Sequence, residues 1–183
     1  MFDLTGKVAI VPGGNGGIGL GMAQGLAQAG AAVAVVGRNA AKNQAAVDGL
    51  KKLGGKAIAI EADVTDEAAC RKLVADTVEA LGRLDILVNN AGINIRKQPQ
   101  DYTLKEWQEV MRTNLDSAFM MSQAAYPHMK KAGGGKIICI GSMTTIFGAP
   151  FVAPYSASKG AIVQMARSMA TAWAKDNIQV NSV

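Results

Sequence analysis

Six short runs of small and branched apolar residues, at 8–11, 32–36, 57–60, 84–88, 136–140 and 178–183, alternate with longer stretches of helical spacing at 18–29, 40–53, 66–81, 114–130 and 155–174. A strand that is apolar at every position is covered on both faces, and a parallel connection needs a crossover long enough to hold a helix. The alternation therefore predicts an α/β fold, a doubly wound parallel sheet of six strands with helices on both faces. Glycines punctuate the pattern: Gly30 after the first helix, Gly54 and Gly55 after the second, Gly82 after the third, and Gly133 to Gly135 after the helix that ends at 130. Thr65 and Asp66 suit the start of the third helix. With no repeat or low-complexity linker, the 183 residues are expected to form a single domain, 1–183.

Composition narrows the function classes. Hydrophobic residues make up 49% and charged residues 18%, which fits a folded globular chain rather than a disordered one. The net charge of +5 is spread over pairs such as Lys51-Lys52, Arg71-Lys72 and Lys130-Lys131, separated by acidic residues. That is a solvated surface, and nucleic-acid binding would call for a basic stripe with interleaved aromatics. No apolar run reaches membrane-spanning length, and the first residues lack the basic start and apolar stretch of a secretory signal. A cytoplasmic protein with no membrane and no nucleic-acid partner is expected. Cys70 and Cys139 lie far apart with no second ligand pair, so neither a disulfide framework nor a metal site is expected.

Between the first strand and the first helix lies Gly13-Gly14-Asn15-Gly16-Gly17-Ile18-Gly19. Glycine there lets the chain turn sharply and approach a pyrophosphate held at the helix N-terminus. About twenty residues further on, where an NAD site places an acidic residue for the ribose hydroxyls, the second strand ends in Val36-Gly37-Arg38-Asn39. Arg38 suits a 2′-phosphate, so NADP is the expected cofactor with NAD as the alternative; as a bare side chain, Arg38 is equally a solvated surface residue.

Tyr155 and Lys159 stand four apart in a helical stretch and share a face. Lowering a phenol by two to three pKa units requires roughly 3–4 kcal/mol. One ammonium at ~4 Å in an effective dielectric near 20 supplies about 4 kcal/mol. Lys159 alone is therefore enough to make Tyr155 a general acid/base, although the pair read in isolation also fits a helix start with its hydroxyl in water.

The glycine loop, Asp63-Val64, Asn89-Asn90-Ala91-Gly92, Asn114, Ser142 and Tyr155/Lys159, in this order, make the chain resemble the short-chain dehydrogenase/reductase family nearly end to end. The resemblance implies a Rossmann-like fold, its six strands in the order 3-2-1-4-5-6, and NAD(P)-dependent oxidation of a small alcohol or reduction of a carbonyl. It implies that Gly13, Asn15, Gly17, Ile18 and Gly19 hold the pyrophosphate, that Asp63 and Val64 contact adenine, and that Asn90, Ala91 and Gly92 support the ribose. It also implies that Ser142 positions the carbonyl, Tyr155 exchanges the proton, Lys159 acts on Tyr155 and grips the nicotinamide ribose, and Asn114 holds a water. Asn114 is otherwise a helix cap, and Ser142 a strand-end serine bonding its own backbone. Within the family, the stretch from Asn89 to Arg96 and the Pro127-His128-Met129 region look like dehydrogenases of the gluconate and deoxygluconate type, with 3-oxoacyl carrier-protein reductases also similar. Arg96 then becomes a candidate for a substrate carboxylate, or an exposed loop arginine; His128 reads as a helix-end residue.

Two departures stand out. Pro12 replaces the family's usual threonine before the loop, removing a donor and a hydroxyl, so a less firmly anchored loop is expected. The chain also ends near the sixth strand, short of the family's substrate-covering segment, so a weakly active or non-catalytic dinucleotide-binding protein is the rival reading. The resemblance implies a homodimer or homotetramer formed through the helices beginning near Asn114 and Tyr155.

Overall fold

The computed structural model describes residues 2–183. Strands β1 (Val8–Pro12), β2 (Ala32–Gly37), β3 (Ala57–Glu61), β4 (Ile86–Asn89), β5 (Gly135–Cys139) and β6 (Ile178–Ser182) form one sheet in the order β3-β2-β1-β4-β5-β6. Every pairing is parallel, with Val8 opposite Ala32, Ala9 opposite Ile86 and Gly135 opposite Ile178. Helices α1 (Gly17–Gln28), α2 (Ala40–Lys52), α3 (Glu67–Leu81), α4 (Leu104–Met111), α5 (Ser117–Lys131) and α6 (Ala153–Trp173) provide the crossovers.

Alternate strand residues feed two cores because successive side chains leave a strand on opposite faces. Ala9, Val11, Val33 and Val35 join Ala23 and Ala27 of α1 and Val47 and Leu50 of α2. Ile10, Ala34 and Val36 join Leu73 of α3, Met121 of α5 and Ile162 of α6. Both faces are thus sealed, and strand order reverses between β1 and β4, where a crevice opens at the carboxyl ends.

Local chemistry sets the helix boundaries. Asp66 Oδ1 accepts from Ala69 N at 2.7 Å to start α3, and Gly82 ends it at φ 88°, a left-handed conformation that suits glycine. One expectation fails. The helix predicted over 114–130 begins at Leu104, where Thr103 and Glu106 form a capping box, and it runs through a π-turn at Arg112–Asp116 into α5. Asn114 is therefore inside a helical rod, not at its cap. β4 and β5 are each displaced from the predicted ranges, because register with β1 and β6 rather than the apolar run fixes their ends. No helix among the described residues is long and apolar enough to cross a membrane.

Candidate active site

The turn between β1 and α1 is built on main-chain bonds: Gly13 N donates to Val36 O at 2.8 Å and Gly14 N to Val11 O at 2.9 Å. Pro12 offers neither N–H nor hydroxyl, and the turn is tied to the end of β4 through the Pro12 carbonyl, which accepts from Asn90 Nδ2 at 3.0 Å, with Gly13 O at 3.4 Å. Gly19 is needed for space. A Cβ there would stand 2.3 Å from Gly13 O and 2.4 Å from Asn90 Nδ2. Gly16 offers α1 no side-chain cap and the first turn holds no acidic residue, so the opening N–H groups of α1 are available to an anion.

Beside this turn lies a cleft of about 520 Å³ lined by Gly13, Asn15, Arg38, Asp63, Val64, Ala91 and Gly92, all expected from the sequence. Gly17, Ile18 and Gly19 form the first turn of α1, with Ile18 72% exposed. Asn90 stands behind Gly13 rather than among the lining residues. Sequence reasoning missed Lys42, Ile93, Glu109 and Thr113, which also line the cleft, and Asn43 behind it. A signal for Asn43 existed: it is a polar residue on the stripe it shares with Ala46, Val47 and Leu50, the buried face of α2. Asp63 Oδ1 accepts from Thr65 N at 2.9 Å and Thr65 Oγ1 at 2.8 Å. The Thr65 N–H lowers the Asp63 pKa; burial opposes it, and the Thr65 hydroxyl and the charges of Arg38 and Arg112 add to the lowering.

At the other end of the crevice the side chains are enclosed. Asn114, 1% exposed, accepts from Ile93 N at 2.7 Å and donates to Ile93 O and Ser158 Oγ, each at 3.0 Å. Ser158 Oγ in turn donates to Tyr155 O at 2.7 Å. The π-turn and α6 are thereby clamped together, and both Asn114 amide protons are used. Tyr155 stands in the first turn of α6. Lys159, 4% exposed, donates from Nζ to Ile140 O at 2.6 Å and lies 5.6 Å from the Tyr155 ring centroid. Burial lowers the Lys159 pKa, partly opposed by Cys139. Ser142 follows β5 and caps a short 3-10 turn, its Oγ accepting from Thr144 N at 3.2 Å and Thr144 Oγ1 at 3.1 Å, which leaves its own proton free. It borders a separate hollow of about 680 Å³ with Met143, Thr145 and Arg167.

The loops flanking this end are joined by Tyr102, whose hydroxyl meets Ile95 O at 2.5 Å and Phe151 O at 2.9 Å and accepts from Lys97 N at 3.2 Å. Arg96, between the pinned residues, is exposed. His128 is in the last turn of α5, as expected. Both cysteines are buried; burial pushes the Cys70 thiol up to about 11.

A doubly wound sheet with a glycine turn at its switch point and a lysine-backed tyrosine across the crevice defines a dinucleotide-binding protein of the dehydrogenase class. Residues 7–183 match the sequence profile of the short chain dehydrogenase family, and the chain belongs to that family. It is 40% identical over 183 residues to gluconate 5-dehydrogenase of Gluconobacter oxydans (strain 621H), spanning all of this chain and 72% of that one. With 2-dehydro-3-deoxy-D-gluconate 5-dehydrogenase of Escherichia coli (strain K12) the identity is 42%, again over all of this chain and 72% of the relative. A crystal structure assigned to a short-chain alcohol dehydrogenase from Sinorhizobium meliloti 1021 superposes with a TM-score of 0.96 at 41% identity, covering 99% of this chain and 72% of that one. The protein is an NAD(P)-dependent oxidoreductase of this family.

Proposed function

We propose that the chain acts as one catalytic domain that interconverts a small secondary alcohol and its ketone with NADP(H), and that its substrates are sugar acids. When bound, the nicotinamide supplies the acceptor or donor of hydride. Gly13, Gly17, Ile18 and Gly19 hold the pyrophosphate against the uncapped start of α1, and the absence of a side chain at Gly19 lets the helix start pack on the Gly13 carbonyl and the Asn90 amide that shape the turn. Asp63 and Val64 border the adenine, and Asn90, Ala91 and Gly92 support the ribose from the β4 side. Arg38 and Lys42 line the cleft as cations beside Gly37, which has no carboxylate, and this favours the phosphorylated dinucleotide.

Tyr155 exchanges the proton at its phenol oxygen while Ser142 donates its free hydroxyl hydrogen to the substrate oxygen, so that two donors meet the developing alkoxide. Lys159 holds its ammonium beside the Tyr155 ring and so places a positive charge next to the group that exchanges the proton. Asn114 has spent its side chain on Ile93 and Ser158, so its main-chain carbonyl in the π-turn is the group that holds a relay water. The relatives' names, gluconate and deoxygluconate dehydrogenases, support the sugar-acid class, and Arg96 is the cation offered to the carboxylate. The apolar hollow between α5 and α6, lined by Phe119, Met120 and Met165, supports assembly as a homodimer or homotetramer.

The observation that carries this reading is the buried Lys159 ammonium set against Tyr155 at the end of β5. The decisive assay is NADPH oxidation with a panel of keto acids. Tyr155→Phe should lower turnover by about 10³-fold while dinucleotide binding changes little, and equal loss of both would defeat the assignment.

A further inference from the structure

Gly37 ends β2 and lines the cleft, and its backbone does not require glycine, because its φ is not in the left-handed region. What it lacks is room. A Cβ at Gly37 would stand 2.4 Å from Asn15 Nδ2 and 2.8 Å from Asn43 Oδ1. Those two atoms are bonded to each other at 2.6 Å. Asn43 is 0% exposed, and its Nδ2 donates to Gly37 O at 2.7 Å and Ile60 O at 2.9 Å. Both protons are committed to carbonyls, so Oδ1 must face Asn15, and the amide cannot turn over without leaving buried groups unpaired. The ends of β2 and β3 are thereby bolted to the glycine turn through two amides.

We infer that Asn43 is a specificity-determining residue of the cleft: by holding Asn15 against Gly37 it fills the place where a carboxylate would have to stand to take both adenosine-ribose hydroxyls. The site is left to read the ribose through Arg38 and Lys42, which suits a 2′-phosphate. This rests on the reading of the cleft as an NADP(H) site and adds that selectivity is held from behind it, by a residue that does not touch the ligand.

The test is fluorescence titration of NADPH and NADH against the wild-type chain, Gly37→Asp, Gly37→Asp with Asn15→Gly, and Asn43→Leu, with far-UV circular dichroism on each. Gly37→Asp alone should weaken NADPH about tenfold and tighten NADH less than about twofold, whereas the double variant should tighten NADH about tenfold. Asn43→Leu, which frees Asn15 to turn, should lower the preference for NADPH over NADH by about threefold or more. The inference is overturned if Gly37→Asp alone gains NADH as the double variant does, or if the folded double variant gains none. Should either Gly37→Asp protein fail to fold, an unchanged preference in folded Asn43→Leu overturns it. A wild-type chain that binds neither dinucleotide removes the cofactor reading together with the lock; wild-type binding with unaltered variant preferences removes the lock alone.

Discussion

The two ends of the crevice are built on opposite principles. At the glycine-turn end the charged groups Arg38 and Lys42 are exposed, and the close contacts are made by glycines, main-chain atoms and the uncharged amides of Asn15, Asn43 and Asn90. At the Tyr155 end Lys159 and Asn114 are buried, and each of their named bonds goes to a main-chain atom or to a side chain of a neighbouring helix. An exposed charge is screened by water and salt, while a buried one acts at full strength but imposes a desolvation cost. Affinity can therefore be adjusted in small steps at the first end, whereas at the second a single lost group should stop the reaction.

The sharpest way to break this contrast is Lys159→Met. Loss of the ammonium should lower turnover by about 10²–10³-fold. The melting temperature should hold or rise, since burial of the charge, which lowers the lysine pKa, no longer opposes folding. A large fall in melting temperature would mean that the Ile140 bond outweighs desolvation. Next is Gly19→Ala, whose Cβ meets the Gly13 carbonyl and the Asn90 amide; isothermal titration should find NADPH bound at least about tenfold more weakly.

A buried charge remote from both ends provides a control. Asp85, near the amino ends of the strands, accepts from Arg83 Nε at 2.8 Å, Arg83 Nη2 at 2.6 Å and Val8 N at 3.0 Å. Burial raises its pKa, but the Arg83 bonds, the Val8 N–H and the charges of Arg83 and Lys7 outweigh this and leave it lowered. A lowered carboxylate contributes stability above its unfolded pKa, near 4, and loses it as pH falls through the folded value. Asp85→Asn should cost about 1–2 kcal/mol at pH 7 and flatten the acid limb of the stability curve, as urea titrations at several pH values would register. The smallest effect is expected at the exposed rim. Arg38→Asp should weaken NADPH by about threefold to tenfold, shift preference toward NADH and reduce the salt dependence of binding; unchanged kinetics with both dinucleotides would remove Arg38 from the site.

How much of this was legible in the sequence differs from one element to the next. Strands such as β1, β2 and β4 could be read because they are apolar on both faces, and the caps at Asp66 and Gly82 because their chemistry is local. The Tyr155 and Lys159 pairing is equally local, one helical turn. By contrast α4 was hidden, since its eight residues show a capping box but little apolar run and it continues through an irregular turn. The tie at Pro12 was not legible because it depends on a carbonyl, which every residue has, meeting Asn90 at the end of another strand.

The sequence by itself determined which segments become strands and helices, and the chemical types gathered at the carboxyl edge, because periodicity, caps and glycine turns act over a few residues. Only the tertiary structure decided that Asn114 spends its side chain on Ile93 and Ser158, that Lys159 is buried against Ile140 O, and that Asn43 holds Asn15 over Gly37. Those outcomes depend on distances between elements remote in the chain, which sheet register and burial set together and no local pattern encodes.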